Sequence, residues 1–257
     1  YGLKVYYLDL LPENSASTAL ILDDLKKYSV CTDLIQFDSE IPDTKCMIYL
    51  LNGEKVIFIT DVKRPLLELN SKDRERLCNA GYLYSTLLDI RELKDYEQIL
   101  EQIIENGGAI AVDVEANSFA DRKEADKILR YCESVFMNER AFSKYGNSEP
   151  LSQTVNHLLG LGIKLLVVSK GDKGCEVFTK EESFSQEAFK VEAVDTTGAG
   201  DTFNSSFLYG LLAGKTLQES EKFASAAAAR AVTMAGPRSG VTREAVVEQF
   251  MEMHKRG

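Results

Sequence analysis

The sequence predicts an α/β fold in three layers, a mainly parallel central sheet between two sets of helices. Strand-like apolar runs alternate with longer stretches of helical periodicity along most of the chain, the pattern that builds βαβ units. The 257 residues are 44% hydrophobic and 27% charged, ordinary values for a globular chain with a sizeable core. The longest apolar runs fall below the ~20 residues a membrane span needs, and no signal-peptide pattern opens the sequence.

Residues 3–10 read as a strand and 16–28 as a helix, with Leu20, Ile21, Leu25 and Tyr28 at helical spacing. Further strands are expected at 82–86, 109–114, 134–137 and 164–169, with helices at 93–105, 122–131 and 152–161 between them. Two segments break this rhythm. In 46–59, two β-rich runs flank Asn52-Gly53, a pair that supplies the positive φ angles of a tight hairpin turn. This hairpin is either a small flap off the main sheet or an ordinary antiparallel edge. In 175–191, two short runs flank Lys180-Glu181-Glu182-Ser183, a second hairpin. A strand-like run at 189–194 follows, and then helices at 200–212, 217–235 and 243–254. The Ala226–Ala229 run keeps the middle one slim. With no linker, low-complexity tract or repeat, the chain reads as one domain carrying a small lid.

The formal net charge of -10 argues against nucleic acid or an anionic membrane as partner, since both need basic surface. It leaves a phosphorylated ligand open, because backbone amides and a helix N-terminus can hold phosphate in an acidic protein. Cys31, Cys46, Cys78, Cys132 and Cys175 are dispersed and odd in number, which reads as reduced thiols of a cytoplasmic protein. His157 and His254 are far apart in sequence, so no local His/Cys metal site is expected.

The chemistry concentrates in Asp195-Thr196-Thr197-Gly198-Ala199-Gly200-Asp201-Thr202-Phe203. Gly198 and Gly200 let the backbone approach a ligand closely. With a helix starting near Gly200, the amides of 198–201 point into one cavity, an anion hole reinforced by the helix dipole. Such a hole stabilises the charge on a transferring phosphoryl group. Asp201 at its mouth is placed to accept the proton of an attacking hydroxyl; the plainer role for it is to cap the helix. For Asp195 and Thr197 the plainer role is a turn. Asp113, ending the 109–114 run, either reaches the ligand edge of the sheet or is a turn residue. Gly107-Gly108 is a helix stop, and Arg238 either contacts phosphate or is solvated surface.

This nine-residue string resembles the C-terminal signature of the ribokinase-like (PfkB) carbohydrate kinases. The likeness extends to Lys164-Leu-Leu-Val-Val-Ser-Lys-Gly-Asp-Lys-Gly174, to Phe136-Met-Asn-Glu139, and to the 223–232 helix beside the family's adenine pocket. The resemblance implies a ribokinase-like α/β/α domain with a β lid at about 44–60. It implies Asp201 as base and Gly198, Ala199 and Gly200 as anion hole. Asn138, Ser169, Gly171, Gly174 and Ser225 would lie along the nucleotide path, with Asn138 near the phosphates and Mg2+. Asp195 and Thr197 would form half of a monovalent-cation (K+) site, completed by 232–241. ATP and a small sugar would be the ligands, and a homodimer through the lid is implied as well.

The chain departs from the family pattern twice. The Asn-Glu-x-Glu motif reads Asn138-Glu139-Arg140-Ala141, without its second acid. The opening Tyr1-Gly2-Leu3-Lys4-Val5 matches a point after the family's first strand and Gly-Gly region, so residues are expected upstream of Tyr1. The acceptor therefore stays open. A sugar kinase is the leading expectation, with a nucleoside kinase and a non-catalytic ligand-binding regulator as alternatives.

Overall fold

The computed structural model describes residues 1–43, 46–51, 54–59, 64–238 and 240–254. The chain divides into two compact units, one of residues 2–75 with 92–94 and one of residues 1, 76–91 and 95–257.

The smaller unit opens with β1 (Tyr6–Pro12), α1 (Ala16–Lys27) and β2 (Cys31–Asp38). Helix α1 starts where the Ser15 side chain accepts from the Ser17 and Thr18 amides, and it ends on Lys26 and Lys27, which suit the negative end of its dipole. Strands β1 and β2 form a parallel pair from Tyr6↔Cys31 to Pro12↔Asp38. The predicted strand at 3–10 is therefore shifted toward the C-terminus. Strand β2 was not anticipated, because Thr32, Asp33, Gln36 and Asp38 mask its apolar pattern around the buried Leu34 and Ile35. Strands β3 (Cys46–Leu51) and β4 (Glu54–Ile59) pair antiparallel from Cys46↔Ile59 to Leu51↔Glu54. This is the hairpin expected at 46–59; Asn52-Gly53, and residues 44, 45 and 60 of the expected lid, lie outside the described residues. Met47, Tyr49 and Phe58 are exposed, and the rings of Tyr49 and Phe58 meet edge to face.

After α2 (Ser71–Cys78) the larger unit runs through β5 (Tyr82–Thr86), α3 (Leu87–Glu92), α4 (Tyr96–Glu105), β6 (Ala109–Val114), α5 (Arg122–Leu129) and β7 (Ser134–Asn138). It continues with α6 (Glu139–Gly146), α7 (Leu151–Gly160), β8 (Leu165–Ser169), β9 (Cys175–Phe178) and β10 (Ser183–Gln186). Three helices close it: α8 (Ala199–Leu212), α9 (Leu217–Val232) and α10 (Glu244–Met253). One six-stranded sheet has the order β10-β9-β8-β7-β6-β5. The pairs from β5 to β8 are parallel, and the β9–β10 hairpin adds two antiparallel strands.

Strands β6, β7 and β8 read as nearly unbroken apolar runs because both of their faces are covered. On one face Ala111, Phe136, Leu165, Val167 and Val177 pack against Phe203, Phe207 and Leu208 of α8 and Ala224 of α9. The alternate residues Ile110, Val112, Val135, Met137 and Leu166 are equally buried, and α4, α6 and α7 contact β6, β7 and β8. Helices α8 and α9 approach closely: a methyl added at Gly210 would lie 2.6 Å from Ser220 Oγ. The slim alanine run of α9 permits this, with Ala226 and Ala227 buried.

Two expectations need correction. Residues 189–194 form no strand; the amides of Val194 and Asp195 both donate to the Val232 carbonyl, so this segment is tied to the end of α9. Helix α6 was missed, since its apolar face is short; the Asn138 side chain starts it by accepting from the Ala141 amide.

Candidate active site

The 195–201 string folds into a turn that opens α8. Gly198 has φ +78° and occupies the position just before the helix, with no side chain capping the first turn. A methyl added there would also sit 2.5 Å from the Pro237 carbonyl oxygen. Handedness and crowding both demand glycine at this point. The Ala199 amide donates to Thr196 and the Thr202 amide to Gly198. The Gly200 and Asp201 amides between them have no acceptor among the described residues. Helices α1, α5, α6 and α9 are capped by the side chains of Ser15, Asp121, Asn138 and Thr216, whereas α4, α7 and α10 share with α8 the lack of a side-chain cap. An uncapped N-terminus with open amides at the positive end of a helix dipole suits an anion. The residues present thus fit a phosphate group of a nucleotide.

Asp195 holds this turn against the loop after α9. Its Oδ1 accepts from the Thr197 amide at 2.9 Å and its Oδ2 from the Gly236 amide at 3.0 Å. Arg230 Nη1 donates to the Gly240 carbonyl at 3.1 Å from the other side of that loop. The two segments expected to share a cation site are therefore adjacent, and the charge of Asp195 is offset by backbone dipoles.

Asp201 is exposed on the first turn of α8. It does not serve as a side-chain cap, so the plainer role weighed for it is not the one it adopts. Ser205 Oγ donates to its carbonyl at 2.7 Å, not to its carboxylate. One turn further on, buried Asn204 donates from Nδ2 to the Tyr84 hydroxyl at 3.2 Å. Asp113 lies within β6, where a turn residue is excluded. Burial first, then the charges of Asp201 and Glu115, push its carboxyl up to about 7. Burial, followed by Asp113, also raises the Tyr84 phenol above its ordinary range.

The other expected residues fall into two sets. Asn138 and Ser169 are paired at the carboxyl ends of β7 and β8, one strand over from Asp113 on β6. Asn138 Oδ1 accepts from the Ala141 amide at 2.8 Å, and Ala141, where the second acid of the motif is absent, is fully buried. Gly171 opens a short 3-10 turn, 171–173, with φ +61°. Gly174 has φ +93°, and a methyl there would overlap the Gln186 carbonyl at 1.8 Å; the chain passing beside the hairpin is enough to require it. Ser225 is not brought to the open turn. It is buried in α9 and donates to Glu221 Oε1 at 2.5 Å, an oxygen that also accepts from Cys175 Sγ at 3.5 Å.

Sequence reasoning missed Tyr84, Asn204 and the Gly236-Pro237 contact. Asn204 was within reach, standing three residues after Asp201 on the same helix face. Tyr84 carried no signal, because its partner lies 120 residues away in sequence.

A mainly parallel sheet with an uncapped Gly-Ala-Gly-Asp helix start defines a class, that of α/β proteins built to hold a phosphoryl group. Residues 2–244 match the model of the pfkB family carbohydrate kinase. The chain belongs to the pfkB family of carbohydrate kinases. It is similar to an uncharacterized sugar kinase of Archaeoglobus fulgidus, 25% identical over 227 residues, which are 87% of this chain and 90% of that protein. It is 40% identical over 91 residues to a ribokinase of Haemophilus influenzae, but that match spans only 35% of this chain and 30% of the relative. Among solved structures, ribokinase of Arabidopsis thaliana complexed with ribose and ATP superposes with a TM-score of 0.82 at 25% identity, covering 97% of this chain and 82% of that one. No helix among the described residues is long and apolar enough to cross a membrane.

Proposed function

We propose that this chain transfers the γ-phosphoryl group of ATP to a hydroxyl of a small sugar or sugar-like acceptor, with Asp201 as general base. The supporting observation is the start of α8, where the open Gly200 and Asp201 amides stand on the same turn as an uncapped carboxylate. In this reading Gly198, Ala199 and Gly200 shape the cradle for the transferring group, and Asp201 takes the proton of the attacking hydroxyl as the new O–P bond forms. Asn138, Ser169 and Gly171 follow the nucleotide along the ends of β7 and β8, and Gly174 fixes the adjoining turn. ATP supplies the phosphoryl group, and Mg2+ the charge that balances it. Asp195 and Thr197, held to the Gly236 loop, are assigned to a monovalent cation such as K+. The β3–β4 hairpin is assigned the lid; a homodimer follows from the resemblance, and a cytoplasmic setting from the dispersed cysteines.

The test is Asp201→Asn. ATP binding by calorimetry should persist, while turnover drops by roughly 10²–10⁴-fold. Turnover close to that of the parent chain would remove Asp201 from the base role. The acceptor is found with a panel of fructose, ribose, a ketogluconate, adenosine, cytidine and pseudouridine. Preference for the nucleosides would reassign the substrate class, and ATP binding without turnover on any of them would favour a regulator.

A further inference from the structure

We propose that Asp113 is a positioning residue for Asp201: on the acid side of its titration its carboxyl is neutral, so that one negative charge rather than two faces the transferring phosphoryl group. This rests on the reading of Asp201 as the base.

Asp113 stands on the α8-covered face of the sheet. It alternates with Val112 and Val114, fully buried on the opposite face, and follows Ala111, which packs in the α8 cluster. Its partners across the sheet are Thr86 of β5 and Phe136 of β7. Phe136 packs edge to face on Phe207 of α8, which fixes that helix over this part of the sheet. Asp201 stands on the first turn of α8, one turn before Asn204, whose Nδ2 donates to the Tyr84 hydroxyl, and Tyr84 pairs with Ala111, two residues before Asp113 on the same face of β6.

The titratable groups around Asp113 are thus Asp201 from α8, Tyr84 from β5, and Glu115 just beyond its own strand. The charges acting on it are both negative, and the hydrogen bond from the Val114 amide opposes them only in part. Before MgATP arrives, two neighbouring carboxylates do not both ionise near neutral pH, and the more buried one keeps its proton. Asp201 is exposed and Asp113 is not, so the proton resides on Asp113. The upward shift of its carboxyl to about 7 agrees with that assignment.

The neutral carboxyl leaves Asp201 charged and able to act as base. Once Asp113 ionises, a second negative charge stands beside the site where the amides of α8 would hold phosphate. ATP affinity should then fall on the alkaline side for a reason unrelated to Asp201.

The experiment measures the Kd of MgATP by calorimetry from about pH 6 to about pH 9 on the full chain, which needs no acceptor. The parent should weaken by about tenfold across a midpoint near 7, and Asp113→Asn, which mimics the neutral acid, should bind tightly throughout. An Asp113→Asn profile that overlays the parent would overturn the proposal. Carbon-13 NMR of labelled aspartates supplies a second reading that does not depend on nucleotide. A carboxyl titrating near 7 should vanish in Asp113→Asn and move to lower pH in Asp201→Asn; an unmoved titration in Asp201→Asn sinks the coupling. Loss of turnover in Asp201→Asn together with a pH-independent Asp113 defeats this inference alone, whereas normal turnover in Asp201→Asn defeats the base reading.

Discussion

Gly198 is held to glycine by two separate demands, a positive φ and the Pro237 carbonyl 2.5 Å from where a methyl would stand. Gly198→Ala should therefore cost roughly 1–3 kcal/mol of stability and weaken ATP binding, because the loop must shift to admit the methyl. Thermal melting and ATP titration check this; a variant that melts and binds like the parent would show that the loop gives way freely. The Asp195–Asp201 string was legible because its meaning is local: two glycines, a helix behind them and an acid in the first turn. The Asp113–Tyr84–Asn204–Asp201 group was not. It is assembled from β5, β6 and α8, and only the tertiary fold puts those residues side by side. Asp113 was visible as a strand-end acid, but its raised proton affinity comes first from burial and then from the charge of Asp201, 88 positions later in the printed sequence.

At the scale of elements, α8 and α9 differ in how they begin. Helix α9 has a full capping box, with Thr216 accepting from the Glu219 amide and Glu219 accepting from the Thr216 amide. Thr216→Ala removes one half of it and should cost about 1 kcal/mol, lowering Tm by about 2–4 °C in a chain of this size. Activity at moderate temperature should be unchanged. Helix α8 lacks such a device, and its Gly200 and Asp201 amides stay open among the described residues, which leaves that start available to a ligand. Most helices and the parallel strands β5 to β8 could be read from periodicity, whereas β2 could not. The run at 189–194 misled because a short apolar stretch looks the same whether it joins a sheet or, as here, bonds through Val194 and Asp195 to the end of a helix.

The whole molecule should register Asp113 in its pH dependence of stability. Its carboxyl is raised in the folded chain, so the folded state keeps a proton that the unfolded state releases above about pH 4. The stabilising contribution is complete below the unfolded pKa and is lost as pH rises through about 7. Relative to the parent, Asp113→Asn should thus gain roughly 2–4 kcal/mol on going from acid to mildly alkaline conditions, read from urea unfolding at about pH 5 and about pH 8. A constant gap between the two proteins would contradict it. The same scale gives meaning to the strand order. Strands β5 to β10 pair each with the next in sequence, so the sheet can lengthen one edge at a time as the chain leaves the ribosome. Helices α8 and α9 arrive only after the last strand, and until then the face bearing Ala111, Phe136 and Val167 has no cover. Nascent chains that stop before residue 199 should be the ones that chaperones bind, because α8 and α9, which cover that face, have not yet been made.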